Sequence, residues 1–179
     1  MSLFSPTLYR RRITDVTVED LRRLGVQGVL LDVDNTLTTH DAPELDARVL
    51  AWLDEMRQQF TLVIVSNNSA ERVAPFAAKI GLPFHALARK PLPGGFWEAG
   101  AEHRMAAEEC VVIGDQIFTD VLAARFAGIR VALVPPIKDK TTAFWRIKRA
   151  LERPVIRKYA RKHPEQAACA AFWLRKDTK

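Results

Sequence analysis

Short apolar runs rich in Val, Leu and Ile recur along the chain, and each gives way to a polar loop. Residues 26–31 are apolar apart from Gln27 and Gly28, then break into Asp32-Val33-Asp34-Asn35-Thr36. Residues 61–65 lead into Ser66-Asn67-Asn68, residues 110–113 into Gly114-Asp115, and residues 130–134 into Pro135-Pro136. Continuous apolar runs of this length read as strands buried on both faces of a parallel sheet. A weaker run over 84–87 predicts a fifth strand. Between these runs the apolar spacing becomes helical, over 44–58 (Leu45, Val49, Leu53, Met56), 70–79, 95–106 and 120–127. A further helix around 18–24 leads into the first strand. The alternation predicts an α/β unit over residues 13–136, a five-stranded parallel sheet with helices on both faces.

Composition narrows the class. A chain of 179 residues with 48% apolar content supports one sizeable core and excludes a multidomain machine or a disordered polymer. The two cysteines, Cys110 and Cys169, form no CxxC pair and are too few for a disulfide scaffold, which fits a reducing compartment. No secretory leader and no membrane span is expected, because no apolar run approaches eighteen residues.

Charge is unevenly spread. The net value is +6, but residues 1–136 carry 14 Lys/Arg against 17 Asp/Glu and residues 137–179 carry 13 against 4. The basic balance therefore belongs to a C-terminal extension. Over 141–152 Phe144, Ile147 and Leu151 share one helical stripe, with Arg146, Lys148 and Arg149 around it. Pro154 predicts a break or a new helical start, followed by Val155, Ile156 and Tyr159 among further cations. This basic helical extension, residues 137–179, can pack on the core together with the apolar patch at 167–174, or lie on an anionic membrane. No specific nucleic-acid partner is expected. Trp97, Trp145 and Trp173 do not make a stacking platform, and the four histidines lack metal-ligand spacing. Sequence assigns no oligomeric state.

Ligands of open parallel sheets bind outside the carboxyl ends of the strands. Asp32, Asp34, Ser66, Lys90 and Asp115 all fall on that side. Two carboxylates at i and i+2 repel unless a cation or proton compensates them, and Mg²⁺ suits a few carboxylates plus substrate phosphate. Asp115 supplies a further oxygen donor. Lys90 can neutralise phosphate or an attacking carboxylate, and Ser66 with the amides near Asn67 can hold phosphoryl oxygens. In that chemistry Asp32 attacks phosphorus, Asp34 protonates the leaving oxygen and later activates water, and Thr36 orders the loop. His40 and Asp41 follow closely enough to line the approach. Read singly, each group also has a plainer role: Asp-Asn-Thr as a turn, Asn67 or Asn68 as a helix cap, Lys90 as an exposed lysine, and Thr119 and Asp120 as caps.

As an ordered set, Leu31-Asp32-Val33-Asp34-Asn35-Thr36-Leu37, Val65-Ser66, Lys90-Pro91 and Gly114-Asp115-Gln116-Ile117-Phe118-Thr119-Asp120 resemble the four motifs of haloacid dehalogenase-like hydrolases. With Arg11-Arg12-Ile13-Thr14-Asp15 and Ser66-Asn67-Asn68, the chain from about residue 3 to 136 resembles the YqeG branch of IIIA-type phosphatases, similar to the mitochondrial phosphatidylglycerophosphate phosphatase. The resemblance implies a Rossmann-like, capless core with Asp32 as nucleophile and Asp34 as acid/base. It implies Ser66 and Asn67 at the phosphate, Lys90 as charge stabiliser and Asp120 as supporting acid. Mg²⁺ would be held by Asp32, Asp115 and the Asp34 main-chain carbonyl. Only 31 residues lie between Asp34 and Ser66 and 23 between Ser66 and Lys90, too few for a folded cap beside the helix and strand each must hold. The implied substrate is phosphatidylglycerophosphate, an anionic lipid head group; the alternatives are a soluble sugar, nucleotide or protein phosphate, or a non-enzymatic receiver or interaction protein. A cytoplasmic location is expected, with or without peripheral contact at the inner membrane face.

Overall fold

The computed structural model describes residues 3–39, 45–138 and 142–170. His40, Asp41 and the 171–174 part of the C-terminal apolar patch lie outside the described residues. In chain order the elements are β1 (Leu8–Tyr9), α1 (Val18–Arg23), β2 (Gly28–Leu31), α2 (Ala47–Arg57), β3 (Thr61–Val65), α3 (Ala70–Ile80), β4 (Phe84–His85), α4 (Gly94–Glu102), β5 (Cys110–Gly114), α5 (Leu122–Phe126), β6 (Arg130–Leu133) and α6 (Ala143–Lys162). Short 3₁₀ segments at Ile13–Asp15, Ala107–Glu109 and Pro164–Ala170 and a π turn at Ile117–Val121 link them.

The sheet has six strands, not the five expected, in the order β1-β6-β5-β2-β3-β4, and every pairing is parallel. The added strand is β1, paired Leu8 to Ala132 and Tyr9 to Leu133 at the edge. Two residues are too few to display a period, so tertiary pairing alone defines it. Its anchors are long-range: the Thr7 amide donates to the Val131 carbonyl at 2.8 Å, and Arg125 Nη2 donates to the Ser5 carbonyl at 2.7 Å.

Alternate residues of β2 feed two cores. Val29 and Leu31 face a cluster with Trp52 and Leu53 of α2 and Val73 of α3. Leu30 faces a second cluster with Phe96 of α4, Ala123 of α5, and Ile156 and Tyr159 of α6. A strand buried on both sides must read as continuously apolar, which is the pattern the sequence shows. Central β2, flanked by β5 and β3, thus delivers its polar loop to the middle of the sheet's carboxyl edge.

The extension packs on the core along one face. Ile156 and Tyr159 are buried, and Tyr159 Oη donates to Gln166 Oε1 at 3.0 Å while the Tyr9 amide donates to the same oxygen at 2.8 Å. The expected break at Pro154 does not occur, because α6 runs unbroken from Ala143 to Lys162. A proline inside a helix costs about 3 kcal/mol. Burial of Ile156 and Tyr159 just beyond it, at about 1.5–3 kcal/mol for a large apolar side chain, offsets that cost.

Candidate active site

Asp32 stands where β2 ends, and its amide donates to the Ile113 carbonyl of β5 at 3.0 Å, so the strand pairing sets its position. The chain then turns sharply: the amides of Thr36, Leu37 and Thr38 all return to the Val33 carbonyl, and Asn35 takes a left-handed φ of 66°. Asparagine tolerates that conformation better than other side chains. The loop after β6 clasps the turn, with the Ile137 amide donating to the Asn35 carbonyl at 2.9 Å. Thr36 Oγ1 comes back to Asp32 Oδ2 at 3.1 Å. The hydroxyl expected to order the loop therefore bonds directly to the first carboxylate.

Lys90 reaches the same point from the other side. Its Nζ lies 2.6 Å from Asp32 Oδ1, 2.7 Å from Asp120 Oδ1 and 3.2 Å from the Val65 carbonyl, with its side chain 3% exposed. Several local bonds hold that reach. Asn67 grips the Lys90 backbone at both ends, accepting from its amide at 2.7 Å and donating to its carbonyl at 3.1 Å. Leu87 and Arg89 both take left-handed φ values, of 53° and 54°, a costly conformation for such residues. The Leu87 amide donates to the Asn68 carbonyl and the Ala88 amide to the Ser66 carbonyl, each at 2.9 Å, which sustains it.

Asp115 is fully buried at the end of β5, and Asp120 is buried in the π turn that follows. Asp120 Oδ2 accepts from the Gln116 amide at 3.2 Å and from Thr119 Oγ1 at 3.3 Å. Asp120 can sit there because residue 114 is glycine. A Cβ at that position would fall 2.5 Å from Asp120 Cγ. Asp120 is thus more than a helix cap: one carboxylate oxygen each from Asp120, Asp32 and Asp115 lie within 4.8 Å of one another.

The electrostatics follow from burial. Desolvation raises the Asp32 carboxyl to about 6, against the opposing pull of the Lys90 ammonium. Burial disfavours the Lys90 charge as well, but Asp120 and Asp32 outweigh it and hold the ammonium above its ordinary value. Three buried carboxylates gather beside one ammonium that bonds two of them, a local concentration of negative charge. A divalent cation among these oxygens offsets it, and an all-oxygen donor set suits Mg²⁺.

Asp34 lies apart from this cluster. Its side chain is 32% exposed, accepts from Arg72 Nη2 at 2.9 Å, and accepts a second bond from Asn68 Nδ2. Ser66 is buried beside it, its Oγ accepting from the Asn68 amide and Asn68 Nδ2, each at 3.2 Å. The structure therefore brings Asp32, Thr36, Lys90, Asp115 and Asp120 to one centre and sets Asp34 and Ser66 at its rim, joined through Asn68. Sequence reasoning missed Arg72 altogether and placed Asn68 in a motif and as a cap, without its bond to Asp34. No local signal marks either contact, since each meets Asp34 across at least 34 positions of chain.

The last motif is also braced from α6. Glu152 is fully buried and its Oε1 accepts from the Ile117 amide at 3.4 Å, while Lys148 Nζ donates to Gln116 Oε1. Among the described residues no helix is long and apolar enough to cross a membrane.

Known proteins resemble the chain at several levels. A HAD-hydrolase-like family matches residues 87–143, and the mitochondrial PGP phosphatase family matches residues 1–79. The "Probable phosphatase YqeG" of Bacillus subtilis is 36% identical over 160 residues, covering 89% of this chain and 93% of that protein. The chloroplastic phosphatidylglycerophosphate phosphatase 1 of Chlamydomonas reinhardtii is 27% identical over 80% of this chain, which spans only 57% of that relative's length. Two solved structures share the fold at a TM-score of 0.51. One, an uncharacterised protein from Listeria monocytogenes, is 19% identical and covers 65% of this chain and 85% of its own. The other, a hypothetical protein from Xanthomonas campestris, is 13% identical and covers 70% and 73%. On this identity and on the buried aspartate cluster, the chain belongs to the YqeG-type phosphatase branch of the haloacid dehalogenase-like hydrolases, as a magnesium-dependent phosphatase.

Proposed function

We propose that the enzyme hydrolyses phosphatidylglycerophosphate through an aspartyl phosphate formed on Asp32. The observation that carries the chemistry is the pair of bonds on Asp32, Lys90 to Oδ1 and Thr36 to Oδ2, which aims a buried carboxylate at one point. Asp32, Asp115 and the Asp34 main-chain carbonyl would hold Mg²⁺, which would supply charge neutralisation to the phosphoryl group. An Asp32 oxygen forms a bond to phosphorus as the bond to the leaving oxygen breaks, and Asp34 gives that oxygen its proton. Water then attacks phosphorus, its proton passes to Asp34, and the Asp32–phosphorus bond breaks. Asn68 and Arg72 keep the half-exposed Asp34 where an alcohol can depart to solvent. Ser66, the amide region of Asn67 and the Lys90 ammonium hold the phosphoryl oxygens, while Asp120 fixes Lys90.

Two observations support a lipid substrate. The matched relatives include a phosphatidylglycerophosphate phosphatase. On α6, Ile147 and Leu151 are 63% and 60% exposed beside Arg146, an amphipathic face suited to an anionic bilayer while the opposite face packs on the core. Phosphate release from phosphatidylglycerophosphate in anionic vesicles is expected to exceed that from a panel of soluble sugar, nucleotide and peptide phosphates. Equal turnover of one soluble compound reverses the substrate choice. Asp32→Asn is expected to lower kcat by at least about a thousandfold, a loss of some 4 kcal/mol of barrier lowering. Near-normal turnover in that variant defeats the covalent mechanism.

A further inference from the structure

A cavity of about 820 Å³ lies outside the aspartate cluster and adjoins it. Thr36 belongs to both, since it lines the cavity and its hydroxyl lies 3.1 Å from Asp32. The other walls come from the same carboxyl edge of the sheet. Arg11 and Arg12 follow β1, Thr38 follows β2, and Ile137 follows β6. Arg48, at the start of α2, adds a third guanidinium. The motif containing Arg11 and Arg12 was singled out in the sequence and has no part in the phosphoryl chemistry.

The cavity's charge is specific. Arg48 grips Asp46 with Nε at 3.1 Å and Nη2 at 2.7 Å, and this bonding, helped by Arg12, lowers the Asp46 carboxyl to about 2. Arg48 is thereby paired, Arg12 also faces Asp46, and Arg11 and Arg12 are both exposed to solvent. Thr14 and Thr38 line the cavity with them, and its apolar side is made by buried Leu37 and Pro136 and exposed Ile137. Two guanidinium forks, hydroxyls and an apolar flank are the donor set of a phosphodiester with hydrocarbon attached.

Resting on the substrate reading above, we propose that this cavity binds a second, non-scissile phosphate of the substrate through Arg11 and Arg12, so that the enzyme selects molecules carrying a phosphodiester next to the phosphomonoester it cleaves. A phosphatidyl head group bearing a terminal phosphate has that layout, with one glycerol between the two. Thr36, which lines the cavity and bonds Asp32, sets the cavity next to the carboxylate that attacks phosphorus. The apolar wall takes up the start of the glycerolipid.

The test uses the full chain with Mg²⁺ and two soluble probes. One is the deacylated head group glycerophosphoglycerophosphate, which carries both phosphates, and the other is glycerol 3-phosphate, which carries the monoester alone. The wild type is expected to favour the first by roughly ten- to hundredfold in kcat/KM, the worth of one or two charge-assisted hydrogen bonds. In the double variant Arg11→Gln/Arg12→Gln that ratio is expected to fall towards one, through KM rather than kcat, with partial recovery when both are lysine. A ratio that survives the double substitution overturns the cavity assignment, and hydrolysis of the intact lipid in vesicles by the same wild-type preparation would leave the substrate reading standing. Binding of glycerophosphoglycerol, the diester alone, is measured by saturation-transfer NMR as an arm free of turnover. Saturable binding lost in the double variant supports the assignment even if the lipid is not the substrate, and absence of binding to wild type overturns it.

Discussion

The aspartate centre and helix α6 treat charge in opposite ways. At the centre, Asp32, Lys90, Asp115 and Asp120 are withdrawn from water, and Lys90 reaches two of the acids within 2.7 Å. On α6 Arg146, Arg157 and Lys158 remain in solvent, apolar Ile147 and Leu151 stand exposed beside them, and among the described residues Glu152, Ile156 and Tyr159 are buried. Buried charge is costly unless paired, so Asp32, Lys90 and Asp120 are interlocked and each depends on the others. Solvated charge costs little, so the outer face of α6 is free to be shaped by what it meets. One region is built for chemistry, the other for contact, and Glu152 links them by bonding the Ile117 amide of the last motif.

Removing one member of the interlocked set is the most severe way to test this contrast. Lys90→Ala leaves Asp32 and Asp120 buried without their ammonium, and is expected to cost about 3–5 kcal/mol in urea denaturation without metal. Turnover should vanish with it. A stability close to wild type would show that water reaches the pair. On the inner face of α6, Ile156→Ala is expected to cost about 2–4 kcal/mol by the same measurement. A loss below about 1 kcal/mol would mean that the helix is not anchored there.

The pH response discriminates more finely. The folded state raises Asp32 from 3.8 to about 6, so it holds that proton more tightly than the unfolded chain does. Stability present below pH 4 is therefore expected to decline as pH rises through about 6 in metal-free protein. Saturating Mg²⁺, which favours the ionised form, should remove the decline. Calorimetric Tm curves for wild type and Asp32→Asn that run parallel without metal would contradict this. The smallest effect on folding belongs to the outer face. Ile147→Ser with Leu151→Ser is expected to change stability by no more than about 0.5 kcal/mol per site. The same pair should sharply weaken sedimentation with anionic vesicles, and unchanged vesicle binding removes α6 from the membrane proposal.

Much of the architecture was legible in local pattern. Buried strands of four or five residues announce themselves as continuous apolar runs, and the loops after β2, β3 and β5 carry their acids and hydroxyls openly. Asp32, Ser66, Lys90 and Asp115 could be nominated because strand ends in a parallel sheet share one edge. Strand β1 was not legible, being two residues held by pairing with β6. Pro154 misled for a related reason: local propensity argues for a break, and burial of the next turn against the core overrides it.

Sequence alone thus determined the α/β alternation, the order of the polar loops, the candidate acids and the concentration of positive charge beyond residue 136. These are local properties, set by periodicity and residue type. Only the tertiary structure decided that Asp120 shares Lys90 with Asp32, that Asn68 and Arg72 hold Asp34, that Asn67 clamps the Lys90 backbone, and that α6 divides into a packed face and an open one. Each of those outcomes joins groups far apart along the chain. Their partners are chosen by the close approach of folded elements and by the cost of burying a polar atom unsatisfied, neither of which leaves a local trace in the sequence.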